Sequence, residues 1–144
     1  MLDHLAGLFP RHVQIHYGQY RREELFEAAR QSRACAYLAD DDHGPLALQE
    51  ILLAGCPTVG VRTGAALVRD GVTGYLVDRL PPGREAVSSD VEENALSAYF
   101  EALQQAQSLD RQQVRSEGAT EFDTSGTVDR LITILDQARS LVTI

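Results

Sequence analysis

Residues 34–61 read ACAYLADDDHGPLALQEILLAGCPTVGV, and their reading decides the fold. Ala34–Leu38 is a short apolar run of the kind that forms a buried strand. Gly44 precedes a helix, and Pro45 suits its first position, where a missing N–H costs nothing. Gly55 is a natural C-terminal stop, and Pro57 forbids continuation. Thr58–Val61 supplies the next strand. A strand, a crossover helix and a second strand in so short a stretch imply parallel pairing. One charge, Glu50, interrupts the otherwise apolar centre of the helix.

The pattern extends outward. His12-Val13-Gln14-Ile15-His16-Tyr17 alternates polar and apolar residues, which predicts a strand after an irregular or helical lead-in at 2–9. Gly18 breaks it. Arg21–Ser32 carries Leu25, Ala28 and Ala29 at helical spacing, with Glu23 and Glu24 in the first turn, where the helix dipole favours acids. Downstream, 64–70 reads as a short helix, Asp70-Gly71 as a turn and Gly74–Val77 as a strand. Pro81-Pro82-Gly83 closes this alternating section. Three helices follow, over 90–107 (amphipathic through Val91, Leu96, Tyr99, Phe100 and Leu103), 110–121 and 124–142. The expected fold is α/β: a Rossmann-like parallel sheet with flanking helices over about 10–80 and a helical C-terminal extension over about 90–144, all in one domain. Ligands of such sheets sit beyond the carboxyl ends of the strands, which points to residues 39–46.

Composition narrows the partners. The chain has 144 residues, 44% apolar, and a formal charge of −8 with no lysine. Apolar content at this level builds a core, and no stretch is long enough for a membrane span. The acidic balance disfavours nucleic acid, whose phosphates require clustered cations. The N-terminus lacks the basic start and apolar core of a signal peptide, so a soluble, cytoplasmic protein is expected. Cys35 and Cys56 lie in apolar surroundings and read as buried thiols rather than a disulfide or metal site.

Asp40-Asp41-Asp42-His43-Gly44-Pro45 opens the central helix, where unpaired backbone N–H groups favour anions. Glu50 follows Asp42 by eight residues, a little over two helical turns, so both fall on roughly one face. A carboxylate so placed can accept hydrogen bonds from two neighbouring hydroxyls, as in a ribose diol. The plainer reading is that Glu50 points outward beside Gln49 and the aspartates cap the helix. Asp40 and Asp42 also spell D-x-D, a metal–diphosphate motif of another glycosyltransferase fold, against which the context argues. His12 and His16 share one strand face but lack an evident third ligand. An acid cluster after a strand also suits a receiver-like module, though the chain offers no lysine to complete one.

The stretch from Val13 to Val77 resembles the C-terminal nucleotide-sugar-binding domain of the retaining, group 1 glycosyltransferases of GT-B fold. The residues that carry the likeness run from Asp42 through Glu50, Ala54-Gly55 and Pro57 to Val59, then Arg69-Asp70-Gly71-Val72-Thr73-Gly74-Tyr75-Leu76-Val77. Gly118 to Phe122 resembles the family's late helix. The resemblance implies a glycosyltransferase domain that binds a nucleotide-sugar donor as substrate, with no metal or other cofactor. It implies that Glu50 holds the ribose and Asp42 faces the donor sugar. Backbone near Gly44 and Leu46 would meet the diphosphate, and Arg62 and Gly64 belong to the family's glycine loop. Transfer would need an N-terminal acceptor-binding domain or a partner chain. The alternative is a noncatalytic relative used for interaction or nucleotide binding. Several positions depart from the family pattern: Asp42 replaces a longer glutamate, His43 and Pro45 replace glycines, and Arg62-Thr63 replaces a glycine pair.

Overall fold

The computed structural model describes Leu5 and residues 7–42, 45–78 and 89–142. Its elements are α1 (Arg22–Gln31), β1 (Cys35–Tyr37), α2 (Leu46–Leu53), β2 (Thr58–Val61), β3 (Gly74–Val77), α3 (Ser89–Ala106), α4 (Arg111–Glu121) and α5 (Thr124–Val142). The three strands form one parallel sheet in the order β1-β2-β3. Cys35, Ala36 and Tyr37 face Thr58, Val59 and Gly60, and Thr58–Val61 face Gly74–Val77 in step. This is the Rossmann-like parallel arrangement expected from residues 34–61, with helices flanking the sheet and a helical C-terminal region.

Strand alternation splits the core into two layers. On one face Ala36, Leu38, Val59, Tyr75 and Val77 pack against Tyr99, Ala102, Leu103 and Ala106 of α3. On the other, Cys35 and Tyr37 meet Leu25 and Ala29 of α1, Ile51 of α2 and Ala54 just beyond it. A third cluster joins Leu48 and Leu52 of α2 to Ala65, Val68, Leu76 and Val114 of α4. The helix α2 is therefore covered on two sides, which explains its nearly unbroken apolar sequence. Tyr99 is wholly buried, yet its hydroxyl finds no hydrogen-bond partner among the described residues.

The end of α2 follows from sequence. Gly55 takes φ of 75°, a left-handed conformation that costs glycine little. Its N–H donates to Leu52 O at 2.8 Å and that of Cys56 to Ile51 O at 3.1 Å, the paired bonds of a Schellman end. Arg111, at the start of α4, then fastens this region. Its guanidinium donates to Ala29 O at 3.1 Å, Arg30 O at 3.0 Å and Ala54 O at 3.3 Å, and also to Ser32 O. One cation thus answers the carbonyl ends of both α1 and α2, where partial negative charge collects.

Two expected elements are different. Residues 12–17 form no strand: they pair with none of the described strands, Val13 is 71% exposed, and only Ile15 reaches a core cluster. Alternation makes a segment fit for a sheet but cannot supply a neighbouring edge. Residues 64–70 form successive turns rather than a helix. Bonds such as Ala65 N–H to Val61 O and Val68 N–H to Ala65 O close isolated turns without a continuing ladder. The Pro81-Pro82-Gly83 break lies outside the described residues.

Candidate functional site

Helix α1 leads into the start of β1 and α2 crosses from the end of β1 to the start of β2, so the N-termini of both helices lie toward the carboxyl edge of the sheet. Residues 38–42 leave β1 there as a loop, and the loop after Val61 leaves β2. The two loops are fastened to each other. Thr63 Oγ1 donates to Asp40 O at 2.6 Å, and Gly64 lies so close to the first loop that a Cβ would stand 1.9 Å from Ala39 O. Gly64 is buried and serves this close approach between loops. Gly60 has a similar function one turn earlier: its missing Cβ leaves room for Ala65, whose Cβ would otherwise be 2.5 Å away.

Asp42 is half-buried and accepts a hydrogen bond from the Tyr37 hydroxyl at 2.6 Å. Tyr37 stands at the last position of β1, so the strand itself fixes the donor. Burial, and then the bond to Asp42, raise the Tyr37 hydroxyl above the ordinary tyrosine range, so it stays protonated and keeps donating. Tyr37 was not among the residues singled out from sequence. The available signal was an aromatic residue with a polar tip at the carboxyl end of a buried strand.

Glu50 lies within α2 with its side chain 16% exposed, and it forms an ion pair with Arg22 at the start of α1, whose own side chain is 78% exposed. The charge that interrupts the apolar helix is therefore met by a cation from the neighbouring helix at the same edge. Leu46 is 70% exposed at the first turn of α2. Arg62 is exposed on the loop beyond β2. Gly44 and His43 lie outside the described residues. Asp42, Glu50, Leu46, Arg62 and Gly64 thus all belong to one edge of the sheet, joined there by Arg22, Tyr37 and Thr63.

Other candidates are engaged differently. His12 pairs its Nδ1 with Phe9 O at 2.8 Å. No group of three His, Cys, Asp or Glu side chains among the described residues is arranged to hold a metal ion. The hollow bordered by Arg30, Ala54, Arg111, Gln112 and Arg115, of about 230 Å³, sits by the C-terminal ends of α1 and α2, at the opposite edge of the sheet. No described helix is long and apolar enough to cross a membrane. No protein-family model, curated protein or solved structure matches the chain.

Proposed function

We propose that the chain is a donor-binding domain of glycosyltransferase type, with a nucleotide sugar held at the carboxyl edge of the parallel sheet. The observation that supports this best is the pair of acids at that edge: Glu50 inset in α2 and Asp42 braced by Tyr37. In this reading Glu50 accepts the ribose hydroxyls, and Asp42 faces the sugar. Backbone N–H groups at the start of α2 meet the diphosphate near Leu46. Arg62, exposed on the adjoining loop, adds positive charge toward the growing negative charge of the departing diphosphate. Acceptor binding, and with it glycosyl transfer, would come from an N-terminal domain or a partner chain.

A specific feature favours a second reading, a noncatalytic module of the same fold. Glu50 already has a cation in Arg22, which by itself accounts for a charge in this helix. The two readings separate under thermal-shift titration with UDP, GDP and ADP and their sugars. Donor binding predicts a rise in melting temperature with at least one nucleotide, lost in Glu50→Ala and kept in Arg22→Ala, because Arg22 is 78% exposed and has no role in the assigned ribose contact. If no nucleotide shifts the wild type, the noncatalytic reading stands. If binding survives Glu50→Ala, the ribose assignment is wrong.

A further inference from the structure

The hollow by the C-terminal ends of α1 and α2 gathers cations in an acidic chain. Arg30, Arg111 and Arg115 border it together with Gln112 and Ala54, around a space of about 230 Å³. The chain as a whole has a formal charge of −8. Part of this gathering serves the fold: Arg111 answers the carbonyl ends of both helices, and Arg115 Nε donates to Leu53 O at 3.1 Å. Those bonds leave donors unused. Among the described residues, Nη1 and Nη2 of Arg115, Nε of Arg111 and the side-chain amide of Gln112 make no hydrogen bond. Arg30 has only Glu27, 4.0 Å away, with both side chains 57% exposed. We propose that this hollow binds a phosphate dianion, free or as the monoester of a small polar molecule, at a site separate from the donor edge.

Geometry favours phosphate over other anions. Arg111 and Arg115 are four residues apart and share one face of α4, and Arg30 faces them from the last turn of α1. Guanidinium forks match pairs of phosphate oxygens, and several forks around one hollow suit a group that carries two charges. Two of the three are held in place before any ligand arrives, Arg111 by its four carbonyls and Arg115 by Leu53 O, so binding orders little that is not already ordered. Gly55 allows this placement: a Cβ there would stand 2.6 Å from Arg111 O and 3.5 Å from Arg115 Cβ.

The lining also limits the size of the ligand. The hollow is smaller than the roughly 300–1,000 Å³ of sites for drug-sized molecules. Ala54 is its one apolar residue, and no aromatic ring borders it for a nucleotide base to stack on. Two acids compete for the cations. Glu27 accepts from the Gln31 amide at 2.6 Å and lies at the outer limit of an ion pair with Arg30. Asp110 is turned to the start of α4, where it accepts from Gln112 N–H at 2.9 Å. An exposed pair as long as that of Glu27 is weak and gives way to a dianion.

Calorimetric titration of the chain with inorganic phosphate tests this, at about pH 8, where phosphate and its monoesters are dianions, and at constant ionic strength set with chloride. One site with a dissociation constant of about 1 mM or lower is expected. The double variant Arg30→Gln, Arg115→Gln, which leaves Arg111 on its carbonyls, should bind at least about tenfold more weakly. Glycerol 3-phosphate is the second probe: tighter binding than phosphate identifies a monoester as the occupant, equal or weaker binding identifies free phosphate, and either supports the site. No saturable heat up to about 10 mM phosphate overturns the proposal, as does undiminished binding in a double variant with native circular dichroism. Should that variant fail to fold, the unmodified chain decides. Phosphate should slow the reaction of phenylglyoxal with Arg30 and Arg115, read from peptide masses, but not with Arg130, which is exposed on α5 and does not border the hollow. Any other pattern of protection overturns the proposal.

Discussion

Replacing Arg111 by alanine should be among the most damaging single changes outside the hydrophobic core. Its guanidinium donates to four backbone carbonyls, those of Ala29, Arg30, Ser32 and Ala54. A hydrogen bond from a charged donor contributes about 1.5–3 kcal/mol. These four share one cation and are only partly shielded, so water replaces much of what is lost and the contributions do not add. A favourable charge at two helix C-termini adds about 0.3–1 kcal/mol each. The expected loss is about 2–4 kcal/mol, or roughly 3–5 °C of melting temperature per kcal/mol for a chain of this size. Urea denaturation followed by circular dichroism measures it. Arg111→Lys should recover less than half, since an ammonium cannot span four carbonyls. Arg111→Met keeps the apolar stem and should resemble alanine. A loss below about 0.5 kcal/mol in Arg111→Ala would show that water serves these carbonyls equally well.

Three further outcomes follow from single contacts. Gly64→Ala would drive a Cβ to 1.9 Å from Ala39 O, so it should lower stability by at least about 2 kcal/mol and abolish any nucleotide-induced thermal shift; unchanged stability in urea would refute the close packing of the two loops. Tyr99→Phe removes a buried hydroxyl without a partner and should be neutral or stabilising by up to about 2 kcal/mol, and a clear destabilisation would show that the hydroxyl is satisfied. Burial pushes the Cys56 thiol up from 9.0 to about 11, with Arg111 opposing in part. Because the folded value lies above the unfolded one, this contribution to stability is complete below about pH 9 and is lost as pH rises toward 11. Cys56→Ala should therefore flatten the stability profile in that alkaline window, measured by urea midpoints from pH 8 to 11, while an identical slope would contradict the shift.

Much of the fold was readable because its signals are local. The run at Cys35–Tyr37, the Pro45 start and the Gly55-Cys56 stop each act within a few residues, and β1, α2 and β2 lie where they indicate. The errors arose where a local pattern needed a distant partner. Val13, Ile15 and Tyr17 alternate correctly, yet no ladder forms beside them. Residues 64–70 have helical composition, but Gly64 is drawn against Ala39 and the chain turns instead. The same holds at the site. Asp42 and Glu50 were visible as acids around a helix start, whereas their partners were not: Tyr37 belongs to the preceding strand and Arg22 to another helix. Arg111 carries no signal of its own, because its carbonyl partners lie 57 to 82 residues back, a separation that no window along the chain contains.

The strand order has a bearing on handling the protein in solution. With β1 at one margin of the sheet, its outer N–H and C=O groups have no ladder partner among the described residues, and an open margin is a template on which a foreign strand can grow. Two things guard it: β1 is only three residues long, and Asp40-Asp41-Asp42 follows almost at once. The second guard is electrostatic, so it weakens as acidification toward the isoelectric point near 4.9 cancels the net charge. Mildly acidic storage would thus favour fibrous or amorphous precipitate seeded at this margin, and neutral buffer of low ionic strength would oppose it.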